Sequence, residues 1–441
     1  MNGFCVIRKA SCAVLSIVGE QKYSHKAIYV KSNYTIIQNM DKSVLYYSCF
    51  TGELIEVYDV LDSYHYLVSH WFLVPEQYDE KKDILKLQKL IRLIGKKRKY
   101  GYSYFEILTT TRCNANCFYC YENGFKKMTM SEKTTKDVVD FIKKNKLSNE
   151  ITIRWYGGEP LVNQKAIDLI CIGLNHCNIN YTSTMISNGL LFNSDNINKA
   201  VHLWNLKNVR ITIDGTEHIY NKVKDYKYST YSPFKKILSN IDTLILAGIS
   251  VTIRLNIEMY NLEDNIILVD FLCKKYSDNK LIDFKLYLLN NTQNCSSIEN
   301  NEYKEYLCEQ LILLKLKILK NGFNINGGQL RGMSNHYCLA DSERFLLIKP
   351  NGGIAYCSED FDQKNYGFIN DDINNLKAPD LYGHLSAKTN ICNDCPLYVT
   401  CTPSSLCPAC KQPICDSLQK KLLLKDLEIS ILQEHRNYHL K

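Results

Sequence analysis

The feature that most constrains the fold is an alternation of β-rich runs with amphipathic helical runs between residues 104 and 290. The β-rich runs hold β-branched and aromatic residues, and the segments between them repeat apolar residues at helical spacing. This alternation predicts a parallel α/β layer, open or barrel-like, because parallel strands need crossover connections that are usually helices. The six predicted strands are residues 104–108, 151–156, 182–187, 209–214, 251–257 and 284–289.

Two of the helical runs carry boundary residues. Residues 131–147 begin at Ser131, a residue type that caps helix N-termini. Residues 231–248 end at Gly248, a residue type that often follows the last helical turn. The pattern therefore predicts helices between the strands, as a parallel sheet requires.

Roughly the first 95 residues have a different pattern. Residues 27–57 alternate like strands with a turn near Asn39, and residues 82–95 form a helical run. We therefore predict a small separate α+β domain at the N-terminus. The basic segment 95–101 that follows is interpreted as a solvated linker rather than as a binding patch.

Composition limits the class of protein. Hydrophobic residues make up 45% of the 441 residues and charged residues 23%, as in soluble globular proteins of two or three domains. The net charge of +8 is only a weak indication of an acidic partner. There is no apolar run of transmembrane length, and residues 1–21 lack the pattern of a secretory signal. We expect a cytoplasmic protein, with neither a membrane nor nucleic acid as a partner.

The chain has 19 cysteines, an unusually large number for a cytoplasmic protein. Disulfides are not expected in a reducing compartment, so clustered cysteines indicate metal binding. Three cysteines lie at 113–120 and eight lie between 338 and 415. The others are scattered and are interpreted as small buried hydrophobic residues.

The first cluster has the spacing C-x3-C-x2-C and directly follows the first predicted strand. Zinc prefers four ligands, whereas three thiolates suit a cubane iron–sulfur cluster that leaves one iron open to a non-protein ligand. A zinc site completed from elsewhere and three unrelated thiols remain alternatives. Other polar motifs follow later strands, and parallel strands gather such ends at one site. These motifs are YGGEP at 156–160, SNG at 187–189, DG at 214–215, and Arg254 with Asn256.

The segment CNANCFYC after a strand, followed by YGGEP, resembles the radical S-adenosylmethionine (SAM) enzymes. The resemblance spans roughly residues 100–295 and implies a partial (βα)6 TIM-type barrel. It implies that a [4Fe–4S] cluster is bound by Cys113, Cys117 and Cys120, with Tyr119 as the aromatic residue before the last cysteine. The open iron of that cluster would chelate SAM.

The resemblance also implies SAM-binding positions, each carried over from a matching motif. Gly157, Gly158, Glu159 and Pro160 match the motif that holds the methionine amine. Ser187 and Asn188 match a strand that lines the ribose, and Thr212 stands where a hydroxyl contacts the SAM carboxylate. Asp214 follows two residues later, and Arg254 with Asn256 fits a segment near the nucleoside.

The second group of cysteines is similar to the SPASM domain, an auxiliary iron–sulfur module of peptide-modifying radical SAM enzymes. Eight thiolates suffice for two four-iron clusters, and zinc knuckles at 392/395 and 407/410 are the alternative. The chain departs from the usual pattern after Cys401, where the next cysteine follows at x5. We assign Cys338, Cys357, Cys407 and Cys410 to one cluster, and Cys392, Cys395, Cys401 and Cys415 to the other.

These observations predict three domains: an N-terminal α+β domain at 1–97, a radical SAM core at 98–330, and a SPASM-like domain with a C-terminal helix at 331–441. The resemblance implies a maturase that cleaves SAM reductively and abstracts hydrogen from a precursor peptide to install a crosslink such as a thioether. An external donor such as flavodoxin or ferredoxin would supply electrons. The N-terminal domain would bind the peptide leader at the edge near residues 27–37, or would only cover the barrel.

Two alternatives remain from the sequence. An anaerobic sulfatase-maturing enzyme would use the same clusters to form formylglycine in a sulfatase. A non-catalytic, zinc-stabilised interaction protein would use the cysteines for structure alone. No catalytic residue is assigned.

Overall fold

The computed structural model describes most of the chain. Contacts divide it into two compact units. The terminal unit holds Met1–Arg98, Gly327–Ser342 and Asp380–Lys441, and the core unit holds Lys99–Asn326 and Glu343–Pro379. The three-domain division remains a prediction. The described residues are 3–96, 101–227, 231–289, 301–327, 330–334, 339–342, 344–357, 365–372, 392, 394–401 and 415–441.

The terminal unit contains two small sheets. The four-stranded antiparallel sheet has the order β1-β5-β4-β3, and β2 pairs antiparallel with β6. The strands are β1 (Phe4–Arg8), β2 (Tyr29–Lys31), β3 (Thr35–Asn39), β4 (Val44–Ser48), β5 (Leu54–Val57) and β6 (Leu73–Pro75). The helices are α1 (Cys12–Val18), α2 (Val60–Ser69), α3 (Glu80–Lys96) and, after those of the core unit, α11 (Ser417–His439).

The terminal unit has an apolar core that joins the two ends of the chain. Leu45 and Leu54 of the four-stranded sheet belong to one buried cluster with Leu427 and Ile431 of α11. Asp59 caps α2 and Asp416 caps α11, each with a side-chain oxygen that accepts backbone N–H groups. The long last helix is therefore part of the unit that the N-terminal strands build.

The core unit is built on one nine-stranded sheet with the order β13-β12-β11-β10-β9-β8-β7-β14-β15. All its strand pairs are parallel except β14 with β15. The six consecutive strands are β7 (Tyr104–Thr110), β8 (Glu150–Gly157), β9 (Asn180–Ser187), β10 (Leu206–Thr212), β11 (Ser250–Ile257) and β12 (Ile282–Leu288). The others are β13 (Asn324–Ile325), β14 (Phe345–Ile348) and β15 (Ile354–Ala355).

Helices follow the parallel strands as crossover connections. They are α4 (Glu132–Asn145), α5 (Gln164–His176), α6 (Ser194–His202), α7 (Glu217–Lys224), α8 (Pro233–Leu246), α9 (Leu262–Lys275) and α10 (Asn301–Lys320). Short 3₁₀ helices lie at Pro160–Asn163, Met259–Asn261, Ala340–Ser342 and Pro396–Val399. Among the described residues, no helix has both the length and the apolar character needed to cross a bilayer.

The predicted α/β fold class is confirmed, and each of the six predicted strands overlaps an observed one. Ser131 caps α4 by accepting the backbone N–H of Thr134, and Gly248 follows the end of α8 with a positive φ of 77°. Strands β13, β14 and β15 were not predicted. Two of them have only two residues, too few to show a periodic pattern.

The two faces of the parallel sheet differ in polarity. In β8, Ile151, Ile153 and Trp155 are buried, whereas the alternate residues Arg154 and Tyr156 are only partly buried. We call the side of the sheet that carries Arg154 and Tyr156 the polar face. Its charged members are Glu106, Glu150, Arg154, Arg210, Arg254, Asp283 and Lys285.

Candidate functional site

The cysteine loop begins where β7 ends and lies against the GGEP motif. The backbone N–H of Gly158 donates to the carbonyl of Thr110 at 3.1 Å, and that of Glu159 donates to the carbonyl of Arg112 at 2.9 Å. A Cβ atom on Gly158 would lie 2.3 Å from the Arg112 carbonyl oxygen, so this position has no room for a side chain. The glycines thus let the end of β8 dock directly on the chain that leads into Cys113.

Glu159 joins the GGEP motif to the SNG segment. Its fully buried carboxylate accepts from the Ser187 hydroxyl at 2.9 Å, the Asn188 N–H at 2.7 Å and the Leu161 N–H at 3.2 Å. Burial raises the pKa of Glu159 to about 7 despite these hydrogen bonds. A carboxylate has about four acceptor sites, so three donors leave one on Oε2 for a ligand.

Asn188 continues this connection back to the cysteine loop. Its side-chain amide donates to Asn114 Oδ1 at 2.7 Å and lies 3.9 Å from Cys113 Sγ. Its own carboxamide oxygen accepts from the Leu190 N–H at 3.0 Å, which fixes the amide orientation. The ends of β7, β8 and β9 are therefore linked around Cys113.

A buried ion pair lies on the other side of the loop. The Asp214 carboxylate is fully buried and lies 2.9 Å from Lys224 Nζ. The Tyr119 hydroxyl donates to Asp214 at 2.6 Å and accepts from Lys224 at 2.8 Å. Burial alone would lower the pKa of Lys224, but Asp214 and neighbouring Cys117 raise it well above its ordinary value. The loop residue Tyr119 is thus held by a charged pair from β10 and α7.

Two asparagines, one at the end of β11 and one just after it, donate hydrogen bonds to Asp214 of the ion pair. Asn256 donates to the second Asp214 oxygen at 3.0 Å and accepts from Arg254 Nε at 2.8 Å. Asn261 donates to the Asp214 and Asn256 carbonyls at 2.8 and 2.9 Å. Both carboxylate oxygens of Asp214 are therefore engaged, as a buried charge requires.

The polar face carries three arginines on three strands, β8, β10 and β11. Arg154 pairs with Glu106 at 3.1 Å, and the Arg254 guanidinium stacks 4.6 Å from the Tyr287 ring centre. Burial, together with Arg154 and Arg254, lowers the pKa of Arg210, and its buried Nε has no hydrogen-bond partner among the described residues. Thr212 is the register partner of Arg254. The face therefore has an excess of positive charge suited to an anionic ligand.

The three thiols of the cysteine loop are spaced more widely than the ligands of a single zinc ion. Cys113, Cys117 and Cys120 are free thiols, and all three lie in the described residues. Thiolates around one zinc lie about 3.8 Å apart, but these three sulfur atoms are not gathered within 4.8 Å of one another. Burial raises the pKa of Cys113 to about 11, so a metal would have to displace its proton.

Comparison with known proteins agrees with this geometry. Residues 107–272, which include the cysteine loop, GGEP, SNG and the Asp214 network, match the family model described as the Radical SAM superfamily. Residues 107–272 form a radical SAM domain. Such a domain binds SAM and a [4Fe–4S] cluster, and the match to enzymes indicates catalysis rather than the non-catalytic alternative.

Two curated relatives of the chain carry the names of different enzymes. This chain is 25% identical to GTP 3',8-cyclase of Clostridium perfringens. The alignment, of 277 residues, covers 59% of this chain and 82% of the cyclase. It is also 24% identical to the radical SAM cyclopropyl synthase TigE of Paramaledivibacter caminithermalis. That alignment, of 322 residues, covers 64% of this chain and 66% of TigE.

Two solved structures share the fold. The structure of anSMEcpe with bound AdoMet has a TM-score of 0.58 at 15% identity, covering 76% of this chain and 99% of that chain. Streptococcus suis SuiB bound to precursor peptide SuiA has a TM-score of 0.53 at 14% identity, covering 87% of this chain and 100% of that chain. The radical SAM core of our chain is therefore folded like theirs.

The C-terminal cysteines are partly described. Cys392, Cys395 and Cys401 surround the 3₁₀ helix Pro396–Val399, where the Cys401 N–H donates to the Leu397 carbonyl at 2.6 Å. Burial and then the charges of Cys392 and Cys395 raise the pKa of Cys415. Cys357 is described in the core unit, whereas Cys338, Cys407 and Cys410 lie outside the described residues.

Sequence reasoning missed Lys224 and Asn261. A lysine at the end of an amphipathic helix is normally solvent-exposed, so nothing local in the sequence marks Lys224 as a buried partner of Asp214. Asn261 follows β11 as a common turn residue. The only available signal was position, because both residues follow strands whose ends meet at the site.

Proposed function

We propose that this radical SAM enzyme is a peptide maturase that removes hydrogen from a precursor peptide and installs a crosslink such as a thioether. The observation that carries the proposal is the hydrogen-bonded assembly of the cysteine loop, Glu159 and Asn188 at three strand ends. In this proposal Cys113, Cys117 and Cys120 bind the SAM cluster. When bound, the cluster and SAM would supply the radical chemistry that removes a hydrogen atom from the substrate.

The chain's own residues then bind and orient SAM. The remaining acceptor site of Glu159 takes the methionine ammonium, and the two glycines of its motif bring the backbone close to the ligand. Ser187 and Asn188 line the ribose, Thr212 contacts the SAM carboxylate, and Arg254 lies near the nucleoside. Tyr119 and Asp214 are positioning residues, because their polar atoms are engaged with Lys224 and Asn256.

A peptide substrate is supported by what the structural neighbours bind. SuiB is solved with precursor peptide SuiA, and anSMEcpe is solved with the Cp18Cys and Kp18Cys peptides. In our chain β3 is an edge strand of the four-stranded sheet, and its Ile37 is exposed. We infer that the peptide leader adds a strand to β3, where main-chain hydrogen bonds give affinity.

The C-terminal cysteines would bind two auxiliary [4Fe–4S] clusters. The electrostatic influence of Cys392 and Cys395 on Cys415 supports their assignment to one cluster, with Cys401 as the fourth ligand. Cys338, Cys357, Cys407 and Cys410 would hold the second. Such clusters would supply one-electron redox chemistry to the reaction. A cytoplasmic donor such as flavodoxin or ferredoxin would reduce the SAM cluster.

A second candidate is a nucleotide substrate. The relative GTP 3',8-cyclase is named for one, and the three arginines of the polar face would attract phosphates. The same charge suits a carboxylate on a peptide, so charge alone does not separate the two. The fold likeness to peptide-bound SuiB over 87% of the chain favours the peptide.

The test is to incubate the reconstituted enzyme with SAM and reductant, adding either the cysteine-containing peptide encoded nearest its gene or GTP. Deoxyadenosine is measured by chromatography, and the peptide by mass spectrometry. A peptide that loses two hydrogens without reacting with a hydrazide probe carries a crosslink, whereas formylglycine reacts. Turnover with GTP alone would overturn the maturase proposal.

A further inference from the structure

A cluster of two histidines and one glutamate lies in the terminal unit and contains none of the cysteines assigned above. His435 and His439 are four residues apart on α11, so they project from the same face of the helix one turn apart. Glu56 lies on β5, an inner strand of the four-stranded sheet. We call these three residues the His–Glu cluster.

The donor atoms of the cluster converge. His435 Nε2 lies 3.2 Å from Glu56 Oε1, and His439 Nε2 lies 2.8 Å from Glu56 Oε2. The three ligand atoms all lie within 4.8 Å of one another. Donors around a tetrahedral zinc, with bonds of about 2.0–2.1 Å, are about 3.3 Å apart, so small shifts would admit the ion.

One donor atom makes a poor contact. Nε2 of His435 is buried and lies 3.2 Å from Glu56 Oε1 as an ion-pair partner, without the geometry of a hydrogen bond. A buried ring nitrogen in such a contact is better satisfied by a metal ion. His439 is partly exposed, which leaves a solvent-facing side where an ion and water can enter.

Two hydroxyl groups outside the His–Glu cluster hold the Glu56 carboxylate in place. Ser43 donates to Glu56 Oε1 at 2.6 Å, and the Tyr58 hydroxyl donates to Oε2 at 3.0 Å. Burial alone would raise the pKa of Glu56, but hydrogen bonds from Ser43, His439 and Tyr58 lower it to about 2. Partners of this kind orient a metal-binding carboxylate and keep it ionised.

We propose that Glu56, His435 and His439 bind a divalent zinc-class cation, with water completing the tetrahedral shell. Two neutral imidazoles and one carboxylate form a donor set that zinc accepts. The ion fastens the C-terminal helix α11 to the N-terminal sheet. It lies outside the residues proposed to bind SAM and the iron–sulfur clusters.

The test uses the full-length enzyme with its iron–sulfur clusters reconstituted, zinc added, and loosely bound metal removed by gel filtration. Zinc and iron per chain are measured by mass spectrometry of the metals. Glu56→Gln, His435→Ala and His439→Ala should each lose about one equivalent of zinc at unchanged iron content. The exposed His176→Ala variant is the matched control and should keep the zinc.

The coordination is read at the zinc absorption edge. We expect a nitrogen and oxygen shell at about 2.0–2.1 Å. A shell dominated by sulfur would place the zinc on the cysteines and overturn the proposal. Equal zinc content in wild type and Glu56→Gln would also overturn it, leaving the cluster as hydrogen bonds alone. Ser43→Ala should weaken zinc binding about tenfold while all three ligands remain.

Discussion

The SAM-site region of the core unit and the His–Glu cluster of the terminal unit both bring polar side chains together, but they are built differently. In the core, Cys113, Glu159 and Asp214 each follow a different strand of one parallel sheet, so the sheet itself gathers them. In the terminal unit, Glu56 and His439 meet across 383 positions of sequence. The first arrangement follows from topology, and the second depends on how a terminal helix packs.

The two regions also differ in how their charges are compensated. The core site is fully buried at Asp214 and Glu159, and removing one member leaves another without a partner. In the His–Glu cluster, His439 is partly exposed and water replaces a lost contact. This difference predicts large and coupled effects of mutations in the core, and small and separable ones in the terminal unit.

The largest effect is expected from the cysteine loop. Cys113→Ala, Cys117→Ala and Cys120→Ala should each reduce reductive formation of deoxyadenosine to background, because three thiolates are needed to hold the cluster. Chromatography of the nucleoside after addition of reductant measures this. Cys177→Ala, at the end of α5, is the control and should be unaffected. Wild-type nucleoside formation by a loop variant would remove these cysteines from the site.

The next largest effect is a loss of stability when the buried ion pair of Asp214 and Lys224 is broken. Lys224→Met leaves the Asp214 carboxylate without its ammonium, which should cost about 3–5 kcal/mol of stability. Denaturant unfolding of the reconstituted protein measures the loss. The exposed Lys222→Met on the same helix should change stability by less than about 0.5 kcal/mol.

The double variant Lys224→Met with Asp214→Asn tests whether the stability loss arises from an unpaired buried charge. If the cost arises from an unpaired charge, removing that charge should recover part of the stability. A double variant that is less stable by the full sum of the two single losses would show that the pair acts as two independent residues.

A third effect tests the docking of the loop. The Gly158→Ala methyl group would lie 2.3 Å from the Arg112 carbonyl oxygen, which is backbone and cannot rotate away. We expect a loss of about 1–3 kcal/mol, together with a lower iron content, because the cysteine loop must shift. Gly327→Ala meets nothing within 4 Å and serves as the control. Unchanged stability and iron in Gly158→Ala would mean that the loop does not need this contact.

The sequence predicted the site residues that lie directly after the strands of the parallel sheet. Cys113, Glu159, Asn188 and Asp214 stood in short motifs directly after predicted strands, and the sheet brings them together. The resemblance supplied their roles, which the physical pattern alone did not. Lys224 was not predictable, because its burial depends on where α7 packs rather than on any local pattern.

The same reasoning explains what was missed in the terminal unit. His435 and His439 on a helix indicate a shared face, but a lone pair of histidines does not identify a third ligand. Glu56 is one residue of a short strand whose pattern indicates only burial. Packing between the two ends of the chain creates the cluster, and no local rule connects those ends.

A smaller effect is expected for SAM binding and its pH dependence. Glu159→Gln should weaken SAM by about 1.5–3 kcal/mol, or roughly ten- to a hundredfold. The pKa of Glu159 is raised to about 7, so its carboxylate is ionised only above that pH. Wild-type affinity should therefore rise as pH increases through about 7, and Glu159→Gln should lose this rise.

Calorimetric titration of cluster-loaded protein measures both effects. Glu150→Gln, an exposed glutamate at the start of the same strand, is the matched control. If affinity for SAM is the same in Glu159→Gln as in wild type at every pH, the carboxylate does not contact the ammonium. Its three internal hydrogen bonds would then be its whole role.

The smallest effect is expected from His439→Ala in zinc-free protein. Its hydrogen bond to Glu56 is 2.8 Å long but partly exposed, so we expect a stability loss below about 1 kcal/mol. All three members of the His–Glu cluster belong to the terminal unit, and Asp214, Lys224 and the cysteine loop belong to the core unit. Deoxyadenosine formation should therefore stay at the wild-type rate. In the double variant with Lys224→Met, the rate should equal that of Lys224→Met alone, since sites without shared partners act independently. A further drop would mean that the terminal helix influences the SAM site, and the contrast between a coupled core and a separable terminal cluster would fail.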